Sequence, residues 1–120
     1  MCSAAHEAAA SCAALQAASV APHLIGDFAA IPSDAGAVLA MTLREAVTNV
    51  IRHAEAQSCT INLALAGSEA RLAVSDDGHG RSFTEGRGLA GMRQRLQAAG
   101  GSLTVLPSAS GMRLIATVPA

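Results

Sequence analysis

The chain has no tryptophan, no tyrosine and only two phenylalanines in 120 residues, so its interior must be built from Leu, Val, Ile, Met and Ala. The aromatic platforms on which single-stranded nucleic acid stacks are therefore missing. Lysine is absent as well: the eight basic residues are all arginine, and against nine acids they leave a net charge of −1. Such a balance excludes a general nucleic-acid or membrane-surface binder, both of which draw on a marked basic excess. Cysteine is scarce and odd in number, with Cys2, Cys12 and Cys59 showing no metal-ligand spacing. Unpaired thiols in a reducing, cytoplasmic setting follow, and no zinc site. No basic start leads into a leucine-rich run, so neither a signal peptide nor a membrane span is expected. What the chain has in quantity is apolar material, 51% of its residues. That is enough for one globular domain of this length to close a core without metals or disulfides.

Read in order, residues 3–18 are nearly all alanine around Leu15, a strong helix preference that is marginal alone at this length. This low-complexity segment, residues 1–19, reads as a connector helix or cap. Val20–Ile25 reads as a short strand that Pro22 pushes toward an edge, and Gly26-Asp27 turns. Ile31-Pro32-Ser33-Asp34 opens the central helix, with Ser33 or Asp34 as the cap, and the helix is expected to run to about Ala56. Two strands follow, Cys59–Ala66 and Ala70–Asp76. In the first, Cys59, Ile61, Leu63 and Leu65 alternate with Thr60, Asn62, Ala64 and Ala66, the mark of an antiparallel sheet covered on one face. A glycine-rich loop leads to a second amphipathic helix carrying Leu89, Met92, Leu96 and Ala99, ended by Gly100-Gly101. Strands Ser102–Leu106 and Met112–Val118 close the chain around a turn at Pro107–Gly111. No internal repeat appears, and no domain boundary falls after residue 20.

The central helix carries the densest chemistry. At 3.6 residues per turn, Glu45, Asn49, Arg52 and His53 fall within a sector of roughly 100°, opposite Leu39, Leu43, Val47, Val50 and Ala54. A carboxylate, a carboxamide, a guanidinium and an imidazole aligned in this way suit a ligand that bears phosphate and metal. From this helix alone, an ordinary amphipathic surface helix fits equally well. In the loop Asp76-Asp-Gly-His-Gly80, a carboxylate at a strand end can accept a hydrogen bond from an exocyclic amine such as adenine's N6. Gly78 and Gly80 let backbone approach a flat ligand. A solvated Asp-Gly turn remains open for the same residues, and His79 reads as exposed. The second cluster, Gly86-Arg-Gly-Leu-Ala-Gly91, opens a helix whose free N–H groups suit phosphate. It also matches G-x-G-x-x-G, but no buried strand precedes it and no acid follows Glu85, so a dinucleotide fold is set aside.

Together, Glu45…Asn49…His53-Ala, then Asp76-Asp-Gly-His-Gly80, then Gly86-Arg-Gly-Leu89-Ala-Gly-Met92-Arg-Gln-Arg95, resemble the N, G1 and G2 boxes of the GHKL ATPase superfamily. The set is similar in particular to the C-terminal ATP-binding domain of bacterial sensor histidine kinases of the nitrate-sensor and desaturase-sensor type. The resemblance covers about residues 20–120. It implies a two-layer α/β sandwich of the Bergerat type, with a mixed, mostly antiparallel sheet covered on one face by helices. It implies ATP and Mg²⁺ as ligands, with Asn49 holding Mg²⁺ and Glu45 polarising the attacking group or a metal-bound water. Arg52 and His53 would approach the phosphates, and Asp76 would take the adenine amine over Gly78 and Gly80. Gly86, Gly88, Leu89 and Gly91 would form the lid and cradle phosphate oxygens. Arg93 and Arg95 are read as the exposed, mainly structural face of the second helix.

The implied function is to bind Mg-ATP and supply the γ-phosphoryl group for histidine autophosphorylation in two-component signalling. His6-Glu7 is read as a chance match to a phosphoacceptor pattern, so the expected partners are a dimerisation and phosphoacceptor domain and a downstream response regulator. The alternatives are an anti-sigma-type serine-protein kinase and a degenerate, nucleotide-free interaction module. The short lid between Gly80 and Gly86 sets this chain apart from the family pattern. A cytoplasmic domain, monomeric when isolated and without direct membrane contact, completes the expectation.

Overall fold

A computed structural model describes residues 4–79 and 87–120. The alanine-rich start forms α1 (Ala4–Ala17). It is followed by β1 (Ala21–Ile25), α2 (Ser33–Asn49), β2 (Ser58–Ala66), β3 (Glu69–Asp76), α3 (Arg87–Ala98), β4 (Ser102–Ser108) and β5 (Gly111–Pro119). The strands make one sheet in the order β1-β2-β3-β5-β4. β1 runs parallel to β2, joined through α2 as parallel neighbours require, and every other pairing is antiparallel. The mixed, mostly antiparallel sheet implied by the sequence is the sheet observed.

Period-two alternation decides which face the helices cover. Cys59, Ile61 and Leu63 of β2, Leu72 and Val74 of β3, and Leu114, Ala116 and Val118 of β5 are buried together. Arg71 and Arg113, on the other parity, are exposed. Against the apolar face pack α2, over β3 and β5, and α3, over β4 and β5, while α1 lies on α2 and β1. α2 contributes Leu39, Leu43, Ala46 and Val47, and α3 contributes Leu89, Met92 and Leu96. α1 lends Ala4, Ala8, Ser11 and Leu15, a stripe of small residues and one leucine spaced along one helix face. The alanine segment read as a connector thus has a packed side.

Three local expectations are corrected. α2 does not run regularly to Ala56: it ends at Asn49 and passes into a single π-helical turn over Val50–Ala54, closed by Glu55 in the left-handed region at φ 53°. Its N-cap is neither Ser33 nor Asp34 but Pro32, whose carbonyl accepts the N–H of Gly36 at 2.7 Å. Ser33 and Asp34 lie inside the first turn, where an acidic side chain suits the positive end of the helix. Finally, β4 continues through Pro107, which pairs with Met112, so the turn shrinks to Ala109-Ser110. β4 is an edge strand, and an edge tolerates a residue without an N–H.

Candidate functional site

α2 buries one side in the core and turns the other to a cavity of about 380 Å³ lined by Met41, Arg44, Glu45, Thr48 and Asn49. These residues follow the helical spacing i, i+3, i+4, i+7, i+8, so one face supplies them all. Glu45 and Asn49 are half-buried and one turn apart. Arg52 and His53 lie beyond, exposed on the π turn. The wider turn breaks the periodicity that aligned all four on paper, and turns of this kind recur at functional sites.

The end of β3 carries the next of the expected residues. Asp76 is buried at 9% exposure and accepts the N–H of Gly78 at 3.0 Å. Asp77 points the other way: one carboxylate oxygen accepts the N–H groups of Gln57 and Ser58, each at 2.9 Å, and the other accepts the Ser58 hydroxyl at 2.8 Å. Those bonds, the Ser58 N–H foremost, hold its carboxyl below the usual carboxylate range. The two adjacent acids therefore divide their work, one facing the interior and one tying the start of β2 to the end of β3. Gly78 passes so close to the end of the π turn that a Cβ on it would lie 1.9 Å from the Ala54 carbonyl oxygen. No side chain fits there, which gives that glycine a packing role between the loop and α2's extension. Cys59, opposite Asp76 in the β2–β3 register, has its thiol pushed up to about 12, by burial first and by Asp76 second. It is an inert core residue, not a nucleophile. His79 is exposed as expected.

The remaining glycine positions divide. Gly80 and Gly86, and with them the expected short lid, lie outside the described residues. Gly88, Leu89 and Gly91 belong to α3. Leu89 is in the core at 5% exposure, so what it can offer a ligand is its backbone N–H in the first helical turn. Gly91 sits two residues further along.

α3 also holds the two residues that sequence reasoning placed on an outer surface. Arg93 donates from Nη1 to the Leu103 carbonyl at 2.7 Å, tying α3 to β4. Arg95 donates from Nη2 to Oε1 of Glu45 in an ion pair between α3 and α2. The signal that could have found Arg95 was its place as the arginine ending the Gly-x-Gly-Leu-x-Gly-Met-x-x-Arg pattern.

Residues 36–120 match the model of the histidine kinase-, DNA gyrase B- and HSP90-like ATPases. The chain belongs to this ATPase family. It is 41% identical over 86 residues to the sensor histidine kinase DesK of Bacillus subtilis, covering 68% of this chain and 23% of that protein. Likewise it is 38% identical over 81 residues to the sensor histidine kinase YvfT of the same organism, covering 66% and 22%. NarS of Mycobacterium tuberculosis, another sensor histidine kinase, is 35% identical over 85 residues, covering 64% and 20%. The chain thus spans less than a quarter of the curated relatives it matches. In fold it is similar to the histidine kinase domain of the Erythrobacter litoralis EL346 blue-light activated kinase, with TM-score 0.79 and 20% identity over 97% of this chain and 60% of that one. The catalytic domain of histidine kinase ThkA gives TM-score 0.72 at 15% identity, over 98% and 94%.

For an ATPase of this family, the donor set in the cavity suits a hard cation. Among the described residues no three His, Cys, Asp or Glu side chains gather as a metal cage. Mg²⁺ needs no such cage, because it keeps several waters and draws on one or two protein oxygens plus substrate phosphates. The amide oxygen of Asn49, beside the carboxylate of Glu45, is a donor of that type. Among the described residues, no helix is long and apolar enough to cross a membrane.

Proposed function

We propose that the chain binds Mg-ATP in the cavity on the outer face of α2 and supplies its γ-phosphoryl group to a histidine in two-component signal transduction. The observation that carries this reading is the meeting of Glu45 and Asn49 in one cavity of α2, within a chain of the histidine kinase-like ATPase family. Asn49 would hold Mg²⁺, which when bound neutralises charge on the phosphates. Glu45 polarises the attacking group. Asp76 accepts the adenine amine, and Gly78 and Gly80 would shape the base pocket. Arg52 and His53 face the phosphates from the π turn. Gly86, Gly88 and Leu89 would offer backbone N–H groups to anionic oxygens, and Gly91 keeps the next turn clear. In-line phosphoryl transfer depends mainly on positioning and charge neutralisation, which suits a site with one base, one metal ligand and several backbone donors. The acceptor histidine comes from a dimerising phosphoacceptor domain, a response regulator receives the group afterwards, and both act with this domain in the cytoplasm.

Thermal unfolding with and without ATP or ADP and Mg²⁺ tests the reading, with Asn49→Ala alongside. Nucleotide at about one hundred times its Kd stabilises a fold by roughly 2.7 kcal/mol, several degrees in a domain of this size. The shift is expected in the native chain, and its Mg²⁺ dependence is expected to vanish in Asn49→Ala. No shift at millimolar nucleotide sinks the proposal and favours the nucleotide-free interaction module. With an acceptor protein supplied, an acid-labile phosphorylated product is expected, and an acid-stable one would indicate serine chemistry.

A further inference from the structure

Glu45 sets an electrostatic problem. It lines the same cavity as Asn49, so polyphosphate entering there meets a carboxylate on the cavity wall. Unless compensated, that charge opposes binding, more strongly for a triphosphate than for a diphosphate. The compensating charge comes from another element. Arg95 reaches across from α3 and pairs with Glu45 Oε1, each side chain a little over one third exposed, at 39% and 38%. Its guanidinium folds back along its own helix, with Nη1 3.8 Å from where a Cβ on Gly91 would stand. An alanine fits at that spacing, whereas a longer side chain at position 91 would stand in the guanidinium's path. Gly91, expected as part of a lid, thus also leaves room for Arg95 to reach α2.

We infer that Arg95 is a positioning residue which neutralises and orients Glu45, making the cavity permissive for the polyphosphate of a nucleotide. It acts through Glu45 rather than by touching phosphate. This rests on the nucleotide-binding reading above. Arg44, also on the cavity wall, keeps one cation there whichever state Arg95 is in, so loss of Arg95 weakens binding without abolishing it. For a partly exposed site, Coulomb's law puts the effect of one uncompensated carboxylate on the order of tenfold in affinity, shrinking as salt is raised.

The test is a thermodynamic cycle in the full chain: calorimetric titration of Mg-ATP and Mg-ADP into the native protein, Arg95→Gln, Arg95→Lys, Glu45→Gln and the Glu45→Gln/Arg95→Gln pair. Arg95→Gln is expected to weaken ATP binding about tenfold and ADP binding by less. Arg95→Lys restores most of the loss, because it keeps the charge. In the Glu45→Gln background, Arg95→Gln is expected to change affinity less than about twofold, since the charge it compensates is gone. A loss of equal size in both backgrounds overturns the inference and makes Arg95 a direct phosphate ligand. No loss in either background also overturns it, leaving an ordinary surface ion pair. Failure of the native chain to bind nucleotide is a different result: it removes the proposed function and this inference with it. Unfolding midpoints without nucleotide identify any variant that has lost its fold, and Arg95→Lys then carries the comparison.

Discussion

Ser19 turns the chain out of α1 with φ 63°, a conformation that side chains with a Cβ seldom adopt. The hydrogen bonds around it are those of a Schellman cap: Val20 N–H to Leu15 carbonyl at 2.8 Å and Ser19 N–H to Gln16 carbonyl at 3.0 Å. α3 ends in the same way, but there the left-handed residue is Gly100, at φ 83°. One helix has the residue its cap prefers and the other does not. The left-handed conformation costs a residue with a Cβ roughly 1–2 kcal/mol, while glycine loses about 0.5–1 kcal/mol more to unfolded-chain entropy. Ser19→Gly should therefore stabilise the fold by up to about 1 kcal/mol, read as a higher urea midpoint at unchanged slope. A lower midpoint would refute this account of the turn. Nothing in the letters Ala18-Ser19-Val20 reveals the conformation, because serine is at home in many turns. Gly100-Gly101 does reveal it.

Asp77 works at the level of elements, joining the start of β2 to the loop that leaves β3. Its carboxylate takes three hydrogen bonds from Gln57 and Ser58, and Gly78 beside it closes against the Ala54 carbonyl. Asp77→Asn is expected to lower stability by about 1 kcal/mol, a modest figure because the group is exposed to solvent. The pH dependence has a definite sign. The folded pKa is depressed, so the contribution is fully present above the unfolded carboxylate value of about 3.9 and is lost as pH falls through the lower folded value. Denaturation series from pH 6 down to pH 2 should show native and Asp77→Asn stabilities converging at the acid end; parallel curves would refute the assignment. Elements differed in how far they could be read from sequence. Strands β2 and β5 were legible because one sheet face is apolar and parity alone reports it. The π turn was not, since Val50–Ala54 continues an acceptable helical pattern, and the loop glycine packed against its end, Gly78, is 24 residues further along the chain. The cavity shows the same division: Glu45 and Asn49, four apart on one helix, were legible, whereas Arg95 meets Glu45 across 50 positions of sequence. Helical periodicity does not encode such a pairing, and the arginine's place in the glycine motif marks the residue without naming its partner.

At the scale of the molecule, α1 lies outside residues 36–120 that match the ATPase family, yet it shares the core. Leu15 is fully buried, and Gly36 near the start of α2 lies close to Ala4, a Cβ there being 3.7 Å from the Ala4 nitrogen. Small residues on both helices bring their backbones together, so α1 supports the element that carries Glu45 and Asn49. Leu15→Ala should cost about 2–5 kcal/mol, as other buried leucines do, and should lower the midpoint of one cooperative transition. An effect below about 0.5 kcal/mol, the size seen at surface positions, would show that α1 adds no stability to the domain.

The two border strands of the sheet each carry a proline, Pro22 on β1 and Pro107 on β4. A border strand otherwise offers an unbroken ladder of donors and acceptors on which another polypeptide can extend the sheet. Each proline removes one rung. Copies of this domain crowded together are thereby discouraged from growing into ribbons.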